Sequence, residues 1–339
     1  MLHFVLLAGS ALAAPIAPAH SLPDREDAAP KNTAPENTAP ENTAPENTGQ
    51  SGATNGEEVV EGQADFHKRL TVPVTIKGEG PFRFMIDTGA QATVVTRGLT
   101  ERLKLPSAGR ATVVGMASSK AVDLVELSGL EFAARIFGTI EAPMLEARNI
   151  GADGILGLDS LQDLRVLIDF RANSIAVDNA AALGGNAGYE IVVRARRRLG
   201  RLIITNAVID GVKTAVIIDT GAQNSFGNPA LKRKLRSRSR EEVSATDVNG
   251  AVLVGDRHIA KSVRIQRMQL VNMPITFADS PAFAALKLDR RPALIMGMRD
   301  LRLLDRLAID FERRQVLFDM PANTRNVRDT DIGFRSSRR

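Results

Sequence analysis

The 339-residue chain contains no cysteine, no tryptophan, one tyrosine and four histidines. Without cysteine there is no disulfide staple, thiol nucleophile, iron–sulfur cluster or thiolate zinc site, and the cysteine-anchored lipoprotein route is closed. His3 and His20 fall near the N-terminus, which leaves His67 and His258 for a folded core. A multi-histidine metal centre is therefore not expected, and neither metal nor cofactor is. Aromatic residues make up only 4% of the chain, too few to stack nucleobases, so nucleic acid is not an expected partner. No apolar run is long enough for an integral membrane span. The G-x-S-x-G elbow, the G-x-x-x-x-G-K-[ST] loop and the H-E-x-x-H helix are all missing, which removes the sequence supports of common serine, nucleotide and zinc chemistries. Carboxylate chemistry remains open.

What the chain does have is unevenly distributed. The net charge of +5 divides into −8 over residues 1–65 and +13 over the rest. Residues 1–13 place an apolar stretch before Ala11-Leu12-Ala13 and read as a short secretory signal, so the protein is expected to be exported to a periplasm or secreted. Residues 14–65 read as a disordered linker, in which Asn-Thr-Ala-Pro-Glu repeats three times from Asn32. Proline at every fifth position blocks helix and sheet there, and little apolar surface offsets the ordering entropy. From Phe66 the pattern changes to short Val/Ile/Leu/Thr runs between Gly, Pro and Asn, predicting an all-β fold with a few short helices. Expected strands include Leu70–Ile76, Phe82–Ile86, Val122–Leu127, Leu202–Ile209 and Ala215–Ile218. Expected helices are Leu99–Leu105, Leu158–Leu164, Ala230–Leu235 and Met298–Leu307. Residues 321–339 form a basic tail.

The folded part repeats itself once. Phe84-Met85-Ile86-Asp87-Thr88-Gly89-Ala90-Gln91 returns as Val216-Ile217-Ile218-Asp219-Thr220-Gly221-Ala222-Gln223, and each copy has a hydroxyl residue, Thr93 or Ser225, six positions after its Asp. About seventy residues further on stand Ile155-Leu156-Gly157 and Ile295-Met296-Gly297, each followed by a strand, Val166–Phe170 or Leu307–Phe311. One Asp-Thr-Gly is an ordinary turn; two copies with matching flanks in the same order define homologous lobes over residues 66–181 and 188–320.

These paired loops resemble the aspartic proteases, and within them the retropepsin-like branch, whose loops read Asp-Thr-Gly-Ala. The pepsin branch usually carries Ser where this chain has Ala90 and Ala222. The resemblance implies a bilobal fold from two fused retropepsin-like halves, active as a monomer, and an aspartic endopeptidase acting on extended polypeptide. Asp87 and Asp219 would activate a water between the lobes, supported by Thr88, Gly89, Ala90, Thr220, Gly221 and Ala222. The threonines would bond across to the opposite loop. The chain departs from pepsin in lacking an obvious flap tyrosine, since Tyr189 lies at the junction of the halves.

The chemistry suits the residues. Peptide hydrolysis without metal or covalent nucleophile needs one group to accept a proton from water and another to donate one, and two adjacent carboxyls sharing a proton do both. Residues 113–120 and the Asn249-Gly250 turn mark a candidate hairpin lid in each half. Two basic clusters, Arg194–Arg201 and Lys232–Arg240, read as solvated surface, and His258 reads as a surface or satisfied core histidine. A competing reading is a peptide- or envelope-binding module that keeps the fold without efficient turnover.

Overall fold

A computed structural model describes residues 2–5, 9–10, 63–64, 70–133, 135–237 and 241–321. Most of the segment read as a linker, and all but the first residue of the basic tail, lie outside them. The described chain is mostly β, in two lobes of like construction. Its strands form an eleven-stranded sheet built largely from the first half, a nine-stranded sheet built largely from the second, and a five-stranded sheet to which both contribute.

The shared sheet joins the lobes. Arg165–Asp169 pairs antiparallel with Arg306–Asp310, so that Arg165 stands opposite Asp310 and Asp169 opposite Arg306. The Arg165 guanidinium meets the Asp310 carboxylate at 2.8 Å with both side chains buried, and further donates to Asn186 Oδ1 and the Gly185 carbonyl. Burying both charges is costly unless they are paired and hydrogen-bonded, as they are here. Around this sheet one apolar cluster runs from Phe84 and Leu156 in the first lobe to Met296 and Phe318 in the second.

Local sequence accounts for the elements that carry the site. Val212–Ile218 alternates its faces: Val216 lies opposite Ile204 and joins the main core, while Ile217 lies opposite Ile203 and joins a second cluster. That two-residue period is what a strand buried on both faces requires. Helix Arg97–Leu103 is capped by the Thr96 side chain, and Pro229–Leu235 by Asn228 with proline in its first turn. Strand Leu70–Ile76 has the limits read from the sequence. Helix Met298–Leu307 is shorter than expected: it ends at Leu301, and a strand begins at Arg306. The apolar spacing of Leu301, Leu304 and Leu307 belongs to a turn that feeds this strand, with all three buried in the main core.

Candidate active site

Strands Glu79–Ile86 and Val212–Ile218 each run straight into an Asp-Thr-Gly loop. Each is flanked by a parallel strand from the downstream repeat block, Gly154–Leu156 or Ala293–Met296. The blocks hold the loops at both ends. Asp87 N–H donates to the Leu156 carbonyl and Asp219 N–H to that of Met296 (3.1 and 3.0 Å), while Leu158 and Met298 N–H groups donate back to Ala90 and Ala222 (2.9 and 2.8 Å).

The loops meet across the lobes by a reciprocal exchange. Thr88 N–H donates to Thr220 Oγ1 (3.1 Å), and Thr220 N–H donates to Thr88 Oγ1 (3.3 Å). Each hydroxyl then donates to a carbonyl of the opposite strand, Thr88 to Ile218 (3.0 Å) and Thr220 to Ile86 (2.7 Å). Glycine is required beside this exchange because nothing else fits. A Cβ on Gly89 would lie 2.6 Å from the Asp219 carboxyl, and one on Gly221 2.3 Å from that of Asp87. All eight residues singled out in the sequence are thus gathered in one place, and Asp87 and Asp219 are both completely buried.

One oxygen of each carboxyl is held by its own loop: Asp87 Oδ1 accepts from Gly89 N–H, and Asp219 Oδ1 from Gly221 and Ala222 N–H. The Oδ2 atoms find no donor among the described residues, and each carboxyl lies against the glycine of the opposite loop, which sets the two side chains beside each other. Burial raises the pKa of Asp87, while loop N–H groups, Asp219 and the Arg201 cation pull it back. Asp219 rises well above the ordinary carboxylate range, through burial first and the neighbouring Asp87 charge second. Two such carboxyls share a negative charge more readily than they carry one each.

Arg201 corrects the sequence reading, which placed it on a solvated face. It is fully buried, and its Nε donates to the carbonyl of Gly89 in the opposite lobe at 2.9 Å, with Nη2 directed at the same oxygen. Burial lowers its pKa to about 10, opposed by the charges of Asp87 and then Asp219. An arginine is tolerated here because the dyad supplies its counter-charge. A signal was available in the sequence: Arg69-Leu70 and Arg201-Leu202 each precede their Asp by the same interval.

Beneath the loops lies a second matched arrangement, of which the sequence reading recognised only the hydroxyls. Thr93 Oγ1 donates to Asp159 (2.6 Å) and accepts from Gly157 N–H (3.2 Å); Ser225 Oγ bonds Asp300 and accepts from Gly297 N–H (3.1 Å). Burial raises the pKa of both carboxyls, against hydrogen bonds from the hydroxyl residues. The downstream blocks hid this role, because Gly157-Leu158-Asp159 and Gly297-Met298-Arg299-Asp300 place their acidic residues one position apart.

Both candidate lid hairpins form, Ser107–Val114 with Ser119–Leu127 and Glu241–Asp247 with Val252–Ile265. Their tips cross. Val114 and Met116 of the first pack into an apolar cluster of the second lobe, and Val248 of the second packs into one of the first. Asp247 Oδ2 accepts from Ala117 N–H, Ser118 N–H and Ser118 Oγ (2.9–3.0 Å), while Asn249 Nδ2 donates to Ser118 Oγ and the Val113 carbonyl. Strand Leu2–Val5, in the segment read as a signal, pairs parallel with Ala111–Val114, and Phe4 packs on the first-lobe cluster. His258 sits outside this site, with Nδ1 3.0 Å from Ser237 Oγ and its ring against Phe277. Among the described residues no group of three or more His, Asp or Glu side chains is placed to hold a metal ion.

Residues 72–163 match a family model described as gag-polyprotein putative aspartyl protease, and residues 205–299 match one described as aspartyl protease. Each matched segment contains one of the Asp-Thr-Gly loops. Among solved structures the chain is similar to a retropepsin-like aspartic protease from Rickettsia conorii, at 18% identity and a TM-score of 0.27, covering 38% of this chain and 88% of that one. No curated protein matches the chain.

Proposed function

Since the chain belongs to the retropepsin-like aspartic proteases, with two such units in tandem, we propose that it is an endopeptidase in which Asp87 and Asp219 hydrolyse peptide bonds of extended polypeptide through a water held between them. The observation that carries this reading is the reciprocal Thr88–Thr220 exchange, which sets two completely buried carboxyls side by side. One proton retained by the pair supplies a donor to oxygens that otherwise have none.

The pair holds one proton between its two carboxyls, and the Arg201 cation beside them favours the single negative charge that remains. The ionised member takes a proton from water as the water oxygen attacks the carbonyl carbon, and the protonated member gives its proton to the carbonyl oxygen. Breakdown of the tetrahedral adduct cleaves the C–N bond, with a proton passing from the pair to the leaving amine. The crossed hairpins cover the site and exclude bulk water, and they open for a peptide to enter. Export and removal of residues 1–13 belong to the same proposal; cleavage there takes away the strand paired with Ala111–Val114. N-terminal sequencing of the protein recovered from the producing cells checks this.

The test is digestion of an unfolded polypeptide by the full chain and by its Asp87→Asn and Asp219→Asn variants. Cleavage abolished by either change, insensitive to chelators and blocked by statine-type inhibitors supports the proposal. Activity that survives Asp219→Asn refutes it, and peptide binding without cleavage, unchanged in the double variant, points to the binding module instead.

A further inference from the structure

The second lobe carries a hollow of about 320 Å³ lined by Arg196, Arg197, Arg198, Arg291, Ile203 and Thr205. None of its four guanidinium groups is paired with a carboxylate among the described residues, whereas Arg165, Arg171, Arg257 and Arg306 all have acidic partners. Four cations around one concavity repel one another, and an anion entering it relieves that repulsion. The planar arginine fork suits a carboxylate in particular, which it grips with two parallel hydrogen bonds.

Strand register ties this hollow to the dyad. Arg196 stands opposite Ile203 and Arg198 opposite Arg201; Ile203 stands opposite Ile217, two residues before Asp219, and Ile217 opposite Ile295. Directly opposed residues share a face of the sheet. On that face Val114 and Met116 of the first hairpin belong to the same apolar cluster as Ile203, Ile217 and Ile295. Arg291 lines the hollow from the bend two residues before the strand Ala293–Met296. Arg196 and Arg198 therefore lie on the lid-covered side, two strand steps of about 4.8 Å from the strand that leads into Asp219. An extended peptide advances about 3.3 Å per residue, so a side chain about three residues from the scissile bond reaches them.

We propose that this hollow is a specificity subsite for an acidic side chain, selecting polypeptides that carry Asp or Glu about three residues from the bond cleaved, on the side held by the second lobe. The proposal rests on the endopeptidase reading for its location along the substrate. Arg201, buried next to the Gly89 carbonyl, belongs to the dyad and not to the subsite.

The experiment uses the full chain and quenched fluorescent peptides that differ only in Glu or Gln at positions two to four from the scissile bond. The expected result is a preference for Glu of about tenfold in kcat/KM at one of these positions. It weakens in high salt, collapses towards unity in Arg196→Gln/Arg198→Gln/Arg291→Gln, and is partly kept in the corresponding triple Lys variant. Equal cleavage of Glu and Gln peptides by the wild type overturns the proposal, as does a preference that survives the triple Gln change. Binding of the same peptides to the Asp219→Asn chain reads the hollow without turnover. Glu-selective binding there, lost in the triple variant, supports the subsite even if the wild type cleaves nothing, an outcome that would sink the hydrolytic reading alone.

Discussion

In the first lobe the hydroxyl beneath the loop, Thr93, meets both Asp159 and Ser160, and Asp159 also accepts the Thr93 and Ser160 backbone N–H groups. In the second, Ser225 meets Asp300, which occupies the place that Ser160 holds in the first lobe. The loops above these networks superimpose in pattern, and Arg201 of the second lobe reaches the Gly89 carbonyl of the first; the arginine at the matching interval, Arg69, lies outside the described residues. Duplication kept the backbone geometry that positions two carboxyls and allowed their surroundings to diverge.

The comparison is broken most severely at the dyad. Asp87→Asn and Asp219→Asn should each reduce kcat by about 10²–10⁴-fold, the usual contribution of a positioned acid or base, measured by initial rates on one peptide. Both changes should raise the melting temperature at neutral pH. A carboxyl whose folded pKa is raised stabilises the fold below its unfolded pKa and loses that stability as pH climbs through the folded value, and Asn removes the loss. An unchanged melting temperature in both variants would mean that burial of the charge is not a cost.

Arg201→Met should come next. It leaves the Gly89 carbonyl without its donor, at about 1–3 kcal/mol in chemical denaturation. It also removes a cation that lowers the Asp87 pKa, so the acidic limb of the pH–rate profile moves to higher pH, with Arg201→Lys moving it less. A loss of stability with no shift of the limb would confine Arg201 to a packing role.

Smaller effects sharpen the difference between lobes. Asp159→Asn should destabilise more than Asp300→Asn, by about 1 kcal/mol, because Asp159 accepts hydrogen bonds from two backbone N–H groups as well as a hydroxyl. Equal losses would show that the two networks are energetically alike despite their different residues. Smallest in global stability is Asp247→Ala, whose readout is local: amide exchange at Ala117 and Ser118 should accelerate while exchange in the shared five-stranded sheet does not.

How far the sequence could be read follows from where each residue finds its partners. The Asp-Thr-Gly loops were legible because pattern, spacing and flanks recur within the chain, and the hairpin tips because Asn249-Gly250 is a strong local turn signal. Arg201 was not, since an arginine amid other arginines looks like surface until the opposite lobe brings the Gly89 carbonyl and the Asp87 carboxyl to it. The helix Pro281–Ala285, capped by Ser280, is too short to show a period. The over-long helix from Met298 arose because helical apolar spacing also describes a turn entering a strand.

The clasp between the hairpin tips has a bearing on ancestry. Across a strict twofold axis a residue lying on the axis meets its own copy, so an acid placed there would face an acid. Joining the halves in one polypeptide lifts that restriction, and Asp247 on one side can meet Ala117 and Ser118 on the other. Covalent fusion thus permits glycine at Gly115 on one tip and a carboxylate at Asp247 on the other, where a Cβ on Gly115 would lie 2.5 Å from the carboxylate, and equal partners would have to set like against like at that spot.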